Sequence, residues 1–227
     1  MSIKSKLLAA AATLTLVGGL GASGELAANA ATPSCGSHCI DIFSNEFGTH
    51  HSPNFVLDVS KGTARVGQSI ILYRTSNSDA AEDFTVAYQG TVADFYAAGL
   101  VSASLDLHYS HFAAFEFQYS PNGVDSGLCA GVGTTAVNGT PVVLVPCGAT
   151  AKSVWVVDSY DTITGHYVPL INGSDTNFSH PYVLHYPGNS YPTDTPRPVL
   201  NTYELQKYSN GTVFDNEQWG ADYGILK

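Results

Sequence analysis

Two cysteines and a histidine crowd into Cys35-Gly36-Ser37-His38-Cys39. Two thiolates and an imidazole at that spacing could supply three of the four ligands of a zinc ion. No second cluster supplies the fourth, and the same cysteines suit a short disulfide loop around Gly36. His108 and His111 lie in and just after the run Ser104-Leu105-Asp106-Leu107-His108-Tyr109, whose alternation reads as a strand. On a strand they face opposite sides, so a shared metal is not expected. Glu82 and Asp83 are adjacent and diverge for the same reason, which makes them a poor glycosidase pair. His50, His51, His166 and His180 are scattered and read as loop histidines. A Gly-x-Ser-x-Gly elbow, a His-Glu-x-x-His pair and a phosphate-cradling glycine loop are all missing from the sequence. No catalytic residue, metal or cofactor is assigned on this pattern.

The elements that would position such side chains are announced by a repeat. Val56-Leu57-Asp58-Val59 is followed by Gly67-Gln68-Ser69-Ile70-Ile71-Leu72-Tyr73, then by Glu82-Asp83-Phe84. Cys129-Ala130-Gly131-Val132 is followed by Gly139-Thr140-Pro141-Val142-Val143-Leu144-Val145, then by Lys152-Ser153-Val154-Trp155. Val183-Leu184-His185-Tyr186 leads, across a longer insert, to Asn216-Glu217-Gln218-Trp219. A unit reused in this way buries its apolar face only against its neighbours. In the first two copies the register extends further, to Tyr96 and Leu100 in one and Tyr167 and Ile171 in the other. Short alternating runs such as Phe115-Glu116-Phe117-Gln118-Tyr119, punctuated by turns such as Pro121-Asn122-Gly123, mark an all-β chain. A closed threefold barrel accounts for the third copy ending soon after Trp219. The copies are placed at about residues 38–110, 111–175 and 176–227 of one domain spanning 31–227.

Residues 1–30 have the layout of a secretory signal peptide: Lys4 and Lys6, an apolar run from Leu7 to Leu20, and the small residues Ala28-Asn29-Ala30. That run is too short for a confident membrane span, and no later stretch approaches the roughly 18 apolar residues one needs. The expected product is secreted, with no membrane span in the mature chain. The net charge is −10. So acidic a chain lacks the basic footprint that nucleic acid requires. Four cysteines in an exported chain imply two disulfides. Spacing favours Cys35–Cys39 and Cys129–Cys147 among the three pairings four cysteines allow.

The middle copy resembles one lobe of the ricin-type β-trefoil lectins. The resemblance rests on Cys129-Ala130-Gly131-Val132, on the strand ending in Pro146-Cys147, and on Trp155. Asn216-Glu217-Gln218-Trp219 is similar to the family's Asn-Gln-x-Trp ending, and Val56-Leu57-Asp58-Val59 to its lobe opening. The resemblance implies a single β-trefoil of three pseudo-repeats and supports the Cys129–Cys147 pairing. It also implies a site in which an Asp accepts hydrogen bonds from sugar hydroxyls and an aromatic ring stacks on the sugar.

In the first lobe Asp58 matches the acid, Tyr73 stands near the aromatic position, and Glu82 replaces the family's Gln. In the third, His185 replaces the acid, Asn216 is retained and Glu217 replaces the Gln. In the middle lobe Gly131 and Ser153 leave nothing to hold a sugar. The ligand-binding residues are therefore placed at Asp58, Tyr73, Glu82, His185 and Asn216. Phe84, Trp155 and Trp219 should fill the core at equivalent positions. The expected partner is a glycan or an extracellular protein. A protease-inhibitor trefoil and a small secreted hydrolase stay open as alternatives. Tyr186 and Tyr191, in the Pro-rich stretch that ends at Pro198, either offer an exposed surface or cover the bottom of the barrel.

Overall fold

A computed structural model describes residues 39–47, 55–75, 79–161, 167–188 and 197–221. The signal-peptide expectation and Tyr191 fall outside these residues.

Twelve strands fall into three sets of four. The first set is β1 (Ile42–Ser44), β2 (Phe55–Val59), β3 (Ile70–Arg74) and β4 (Phe84–Thr91). The second is β5 (Ala113–Tyr119), β6 (Leu128–Val132), β7 (Thr140–Pro146) and β8 (Trp155–Val157). The third is β9 (Leu170–Asn172), β10 (Tyr182–His185), β11 (Asn201–Glu204) and β12 (Trp219–Ala221). The outer strands of each set make a closed barrel. β12 pairs with β1, β4 with β5, β5 with β8 and β8 with β9, all antiparallel. Single bridges, Ile40 to Phe84 and Val168 to Trp219, close the two remaining seams.

The inner strands form three hairpins that cap one end of the barrel: β2–β3, β6–β7 and β10–β11. The hairpins touch one another cyclically. Ser69 bridges Val143, Asn201 pairs with Pro141, and Ile71 bridges Val199. Alternation explains why each hairpin has one core face. Leu57, Val59, Ile70 and Leu72 point into the core, as do Ala130, Val132, Val142 and Leu144 in the next lobe. Closure also removes the sheet edges that would invite aggregation.

Phe84, Trp155 and Trp219 are all buried in this core, each two residues after the last residue of a one-turn 3-10 helix (Ala80–Glu82, Ala151–Ser153, Asp215–Glu217). Trp155 Nε1 donates to the Ala130 carbonyl at 2.9 Å, and Trp219 Nε1 donates to the equivalent Leu184 carbonyl at 2.8 Å. Cys129 is bonded to Cys147 with Cα atoms 5.0 Å apart, closing a separation of 18 residues. Loop-closure entropy puts the stabilisation near 3 kcal/mol. Cys39 is buried and disulfide-bonded, while Cys35, its expected partner, lies outside the described residues.

Two short helices lie between the first set and the second: α1 (Val92–Ala97) and α2 (Ala103–Tyr109). This corrects the strand expected over Ser104–Tyr109. Ser102 caps α2 by accepting from the Leu105 amide, and Asp106 N–H donates to the Ser102 carbonyl at 3.1 Å. The alternation of Leu105 and Leu107 imitates a strand, yet Leu105 is buried and Leu107 is 81% exposed. The extended register fails for the same reason. Tyr96 sits on α1 and is 44% exposed, whereas Tyr167 is buried. Tyr186 is buried as well, packed edge-on against Phe47, so it covers the core. Among the described residues, no helix is long and apolar enough to cross a membrane.

Candidate functional site

Each hairpin has an outer face whose four central residues follow from the strand register. In the first lobe they are Val56, Asp58, Ile71 and Tyr73, since Val56 pairs with Tyr73 and Asp58 with Ile71. Asp58 and Tyr73 are thus diagonal neighbours on one face, close enough for a ring and a carboxylate to share a ligand. Asp58 is buried, and its carboxyl is pushed up to about 7, first by burial and then by the charge of Asp79, with Arg197 opposing. Oxygens of Asp58, Asp79 and Glu82 lie within 4.8 Å of one another. Asp79 also accepts from the Ala81 amide at 3.0 Å, and Thr75 donates to Glu82 at 3.1 Å. Three carboxylates carry six oxygens between them and could hold a cation. Arg197 already brings a positive charge to the same corner.

Arg197 is the departure from threefold symmetry that matters most here. Its guanidinium carbon lies 3.4 Å from the centre of the Tyr73 ring. The register explains the contact: Ile71 bridges Val199, so two residues further along each strand Tyr73 faces Arg197. By the same count Val145 faces Gly67, and Tyr203 faces Gly139. The turn glycine of the other two lobes is an arginine here.

The third lobe presents Val183, His185, Asn201 and Tyr203 on its outer face. His185 is buried and hydrogen-bonded on both ring nitrogens. Nδ1 lies 2.7 Å from Asn201 Oδ1, and Nε2 lies 3.1 Å from Asn216 Nδ2. A neutral imidazole with its proton on Nδ1 serves both amides. Burial pushes the His185 pKa down, with the Asn201 contact opposing, so the neutral form prevails at pH 7. The Tyr203 ring leans on His185 with centroids 5.1 Å apart. Asn216 also donates to the Tyr186 carbonyl at 3.1 Å. Glu217 is buried behind this group and pushed up to about 8, chiefly by burial. Its Oε2 accepts from the Gln206 amide at 2.7 Å, and its Oε1 has no partner. A carboxyl held protonated offers one donor and one acceptor, as the family's glutamine amide would.

The middle lobe is sealed. A Cβ on Gly131 would lie 2.5 Å from the Lys152 carbonyl and 2.7 Å from Val145. Ser153, in the glutamine position, hydrogen-bonds the buried Glu116, which also accepts from the Gly148 amide.

The fold thus brings Asp58, Tyr73 and Glu82 together in one lobe, and His185 and Asn216 in another. Sequence reasoning missed Asn201, Tyr203 and Arg197. Aligning Arg197-Pro198-Val199-Leu200-Asn201-Thr202-Tyr203 with Gly67-Gln68-Ser69-Ile70-Ile71-Leu72-Tyr73 would have found all three. His108, expected on a strand, instead ends α2, where its ring stacks on Phe178 at 4.0 Å.

Closed barrel, three capping hairpins and threefold aromatic core define a β-trefoil. The solved structures agree. A designed threefold-symmetric protein, ThreeFoil, matches with a TM-score of 0.53 at 14% identity, over 82% of this chain and 98% of that one. An exo-β-1,3-galactanase from Clostridium thermocellum matches with a TM-score of 0.52 at 13% identity, over 82% of this chain and 30% of the enzyme. This chain therefore spans less than a third of that enzyme. A ricin B-like lectin of Macrolepiota procera, solved with lactose, gives a TM-score of 0.48 at 18% identity, over 82% of this chain and 96% of the lectin. At these identities the likeness to the first two establishes the β-trefoil fold. No protein-family model and no curated protein matches the chain.

Proposed function

We propose that this chain is a secreted, non-enzymatic carbohydrate-binding β-trefoil whose first lobe holds the sugar. The observation that carries the reading is the outer face of β2 and β3. It sets Asp58 diagonal to Tyr73 and adds the carboxylates of Asp79 and Glu82 beside them. Carboxylates accept from sugar hydroxyls, and an aromatic ring packs on the apolar face of a pyranose. Arg197 covers a face of Tyr73, so a stacked sugar exchanges that cation–π contact for its own packing. The secreted location rests on the sequence of residues 1–30.

A second reading places the sugar in the third lobe. It is favoured by one observation: Tyr203 faces Gly139, with no arginine in the equivalent place. There His185 and the two asparagine amides would supply the polar contacts.

A glycan array on the mature chain, followed by calorimetry with a bound glycan, separates these readings. Hydrogen bonds to charged groups are worth about 1.5–3 kcal/mol, so at a pH above about 7, where Asp58 is ionised, Asp58→Ala should weaken binding roughly ten- to a hundredfold. Unchanged binding in Asp58→Ala, with loss in Asn216→Ala, moves the site to the third lobe. A wild-type protein that binds no glycan ends the carbohydrate reading.

A further inference from the structure

A cavity of about 480 Å³ opens where the end of α2 meets the segments that follow β8 and flank β10 and β11. Small-molecule sites commonly occupy about 300–1,000 Å³. Its walls come from three distant segments: Tyr109 at the end of α2, Asp158 and Asp161 after β8, and Phe178, Leu205 and Lys207 around β10 and β11.

The apolar side is held in place by ring packing. His108 stacks on Phe178 with planes 12° apart, and Tyr109 meets Phe178 edge-on at 6.1 Å. Tyr109 is itself braced by Phe112 at 5.4 Å. The opposite side is acidic. Asp158 is buried, and one of its oxygens accepts from the amides of Tyr160 and Asp161 at 3.1 and 3.3 Å. Asp175, also buried, stands close enough that its charge, with those of Asp158 and Asp161, pushes the Tyr109 phenol up after the larger effect of burial.

One ammonium already sits at one of these carboxylates. Lys207 Nζ lies 2.7 Å from Asp161, on a side chain that is 42% exposed. It shows that a primary amine fits against Asp161, and it leaves Asp158 without a cation of its own among the described residues. Burial and the neighbouring Asp161 push the Asp158 carboxyl up, which an added cation would reverse.

We propose that this cavity binds a small organic cation through a protonated primary amine, its charge set between Asp158 and Asp161 and its carbon frame against Tyr109 and Phe178. An ammonium brings three donors to acceptor-only carboxylates. Aromatic walls add attraction for a cation that a neutral ligand cannot use. Anions are repelled by the same groups. The site is separate from the first-lobe face and does not rest on the carbohydrate reading.

The test uses putrescine, D-glucosamine and N-acetyl-D-glucosamine on the mature chain at low salt, followed by calorimetry and by NMR of the aromatic rings. The two amines should bind, shift the Tyr109 and Phe178 signals and weaken as salt is raised. Acetylation should abolish binding at this cavity. Asp158→Asn should weaken the amines by about tenfold or more. Lys207→Ala removes a competing ammonium from an exposed pair and should tighten them about two- to fivefold. Equal binding of glucosamine and its N-acetyl form at these rings makes the cavity a neutral saccharide subsite and overturns the proposal. So does the absence of any amine binding at millimolar concentration. If Asp158→Asn fails to fold, the lysine variant decides: amine affinity unchanged or weakened there sinks the idea. A chain carrying Asp58→Ala that has lost sugar binding should still bind putrescine, so failure of one reading is distinguishable from failure of the other.

Discussion

Gly139 and Arg197 hold the same place in two lobes, and the ring each faces lives in a different world as a result. Tyr203 faces a residue with no side chain, while Tyr73 carries a guanidinium 3.4 Å from its centre. The polar residues diverge in parallel. The first lobe gathers carboxylates, and the third gathers neutral donors and acceptors around His185. The middle lobe has neither, because its backbone closes over Gly131. A threefold scaffold fixes where a side chain can point, and single substitutions then decide what each face can bind.

The sharpest way to break this comparison is to put the missing acid back. Gly131→Asp should cost about 3 kcal/mol or more, read by chemical denaturation, because the new Cβ meets the Lys152 carbonyl at 2.5 Å and the carboxylate has no solvent. A near-neutral effect would show that the middle lobe is open after all. Trp155→Phe asks whether the aromatic positions are interchangeable. It removes the 2.9 Å bond to Ala130 and should cost about 1–3 kcal/mol, although phenylalanine is native at the same place in the first lobe.

Glu217 gives the third lobe a pH response of the same sign as the one Asp58 gives the first. Its folded pKa of about 8 lies above the ordinary value of 4.5, so the native state binds more protons between them. Its contribution to stability is therefore full below about 4.5 and lost as pH rises toward about 8. Melting temperatures followed across that window should fall less steeply in Glu217→Gln than in the wild-type chain. The smallest effect is expected for Arg197→Ala. Arg197 and Tyr73 are both half-buried, where a cation–π contact is worth at least about 0.5–1 kcal/mol, so freeing Tyr73 should tighten a first-lobe glycan by at least about two- to fivefold. Weaker binding instead would make Arg197 a ligand contact.

Much of the fold was legible because its signals are local. Phe84, Trp155 and Trp219 follow their lobe openings closely, and hairpin alternation shows through in Ile70 to Tyr73 and Val142 to Val145. Ser104–Tyr109 misled because two leucines at alternate positions suit a strand as well as one short helical turn. The helix is set by the Ser102 cap and by Leu105 packing under α1, which periodicity does not reveal. Asp58 and Tyr73 could be paired from the repeat. Tyr203 was hidden by the long insert before Arg197, which displaces the third copy's register. The amine cavity was invisible, since α2, the β8 end and the β10–β11 region meet only in three dimensions.

Phe84 also leaves a mechanical mark. Indole nitrogens pin the second and third hairpins to the barrel wall through the carbonyls of Ala130 and Leu184. Phe84 has no N–H to offer, so the first hairpin lacks that indole tether and is held to the barrel through the Phe43–Val56 strand pairing. It is also the hairpin that carries Asp58 and Tyr73. The lobe with the most chemistry on its surface is the one without an indole bolt beneath it.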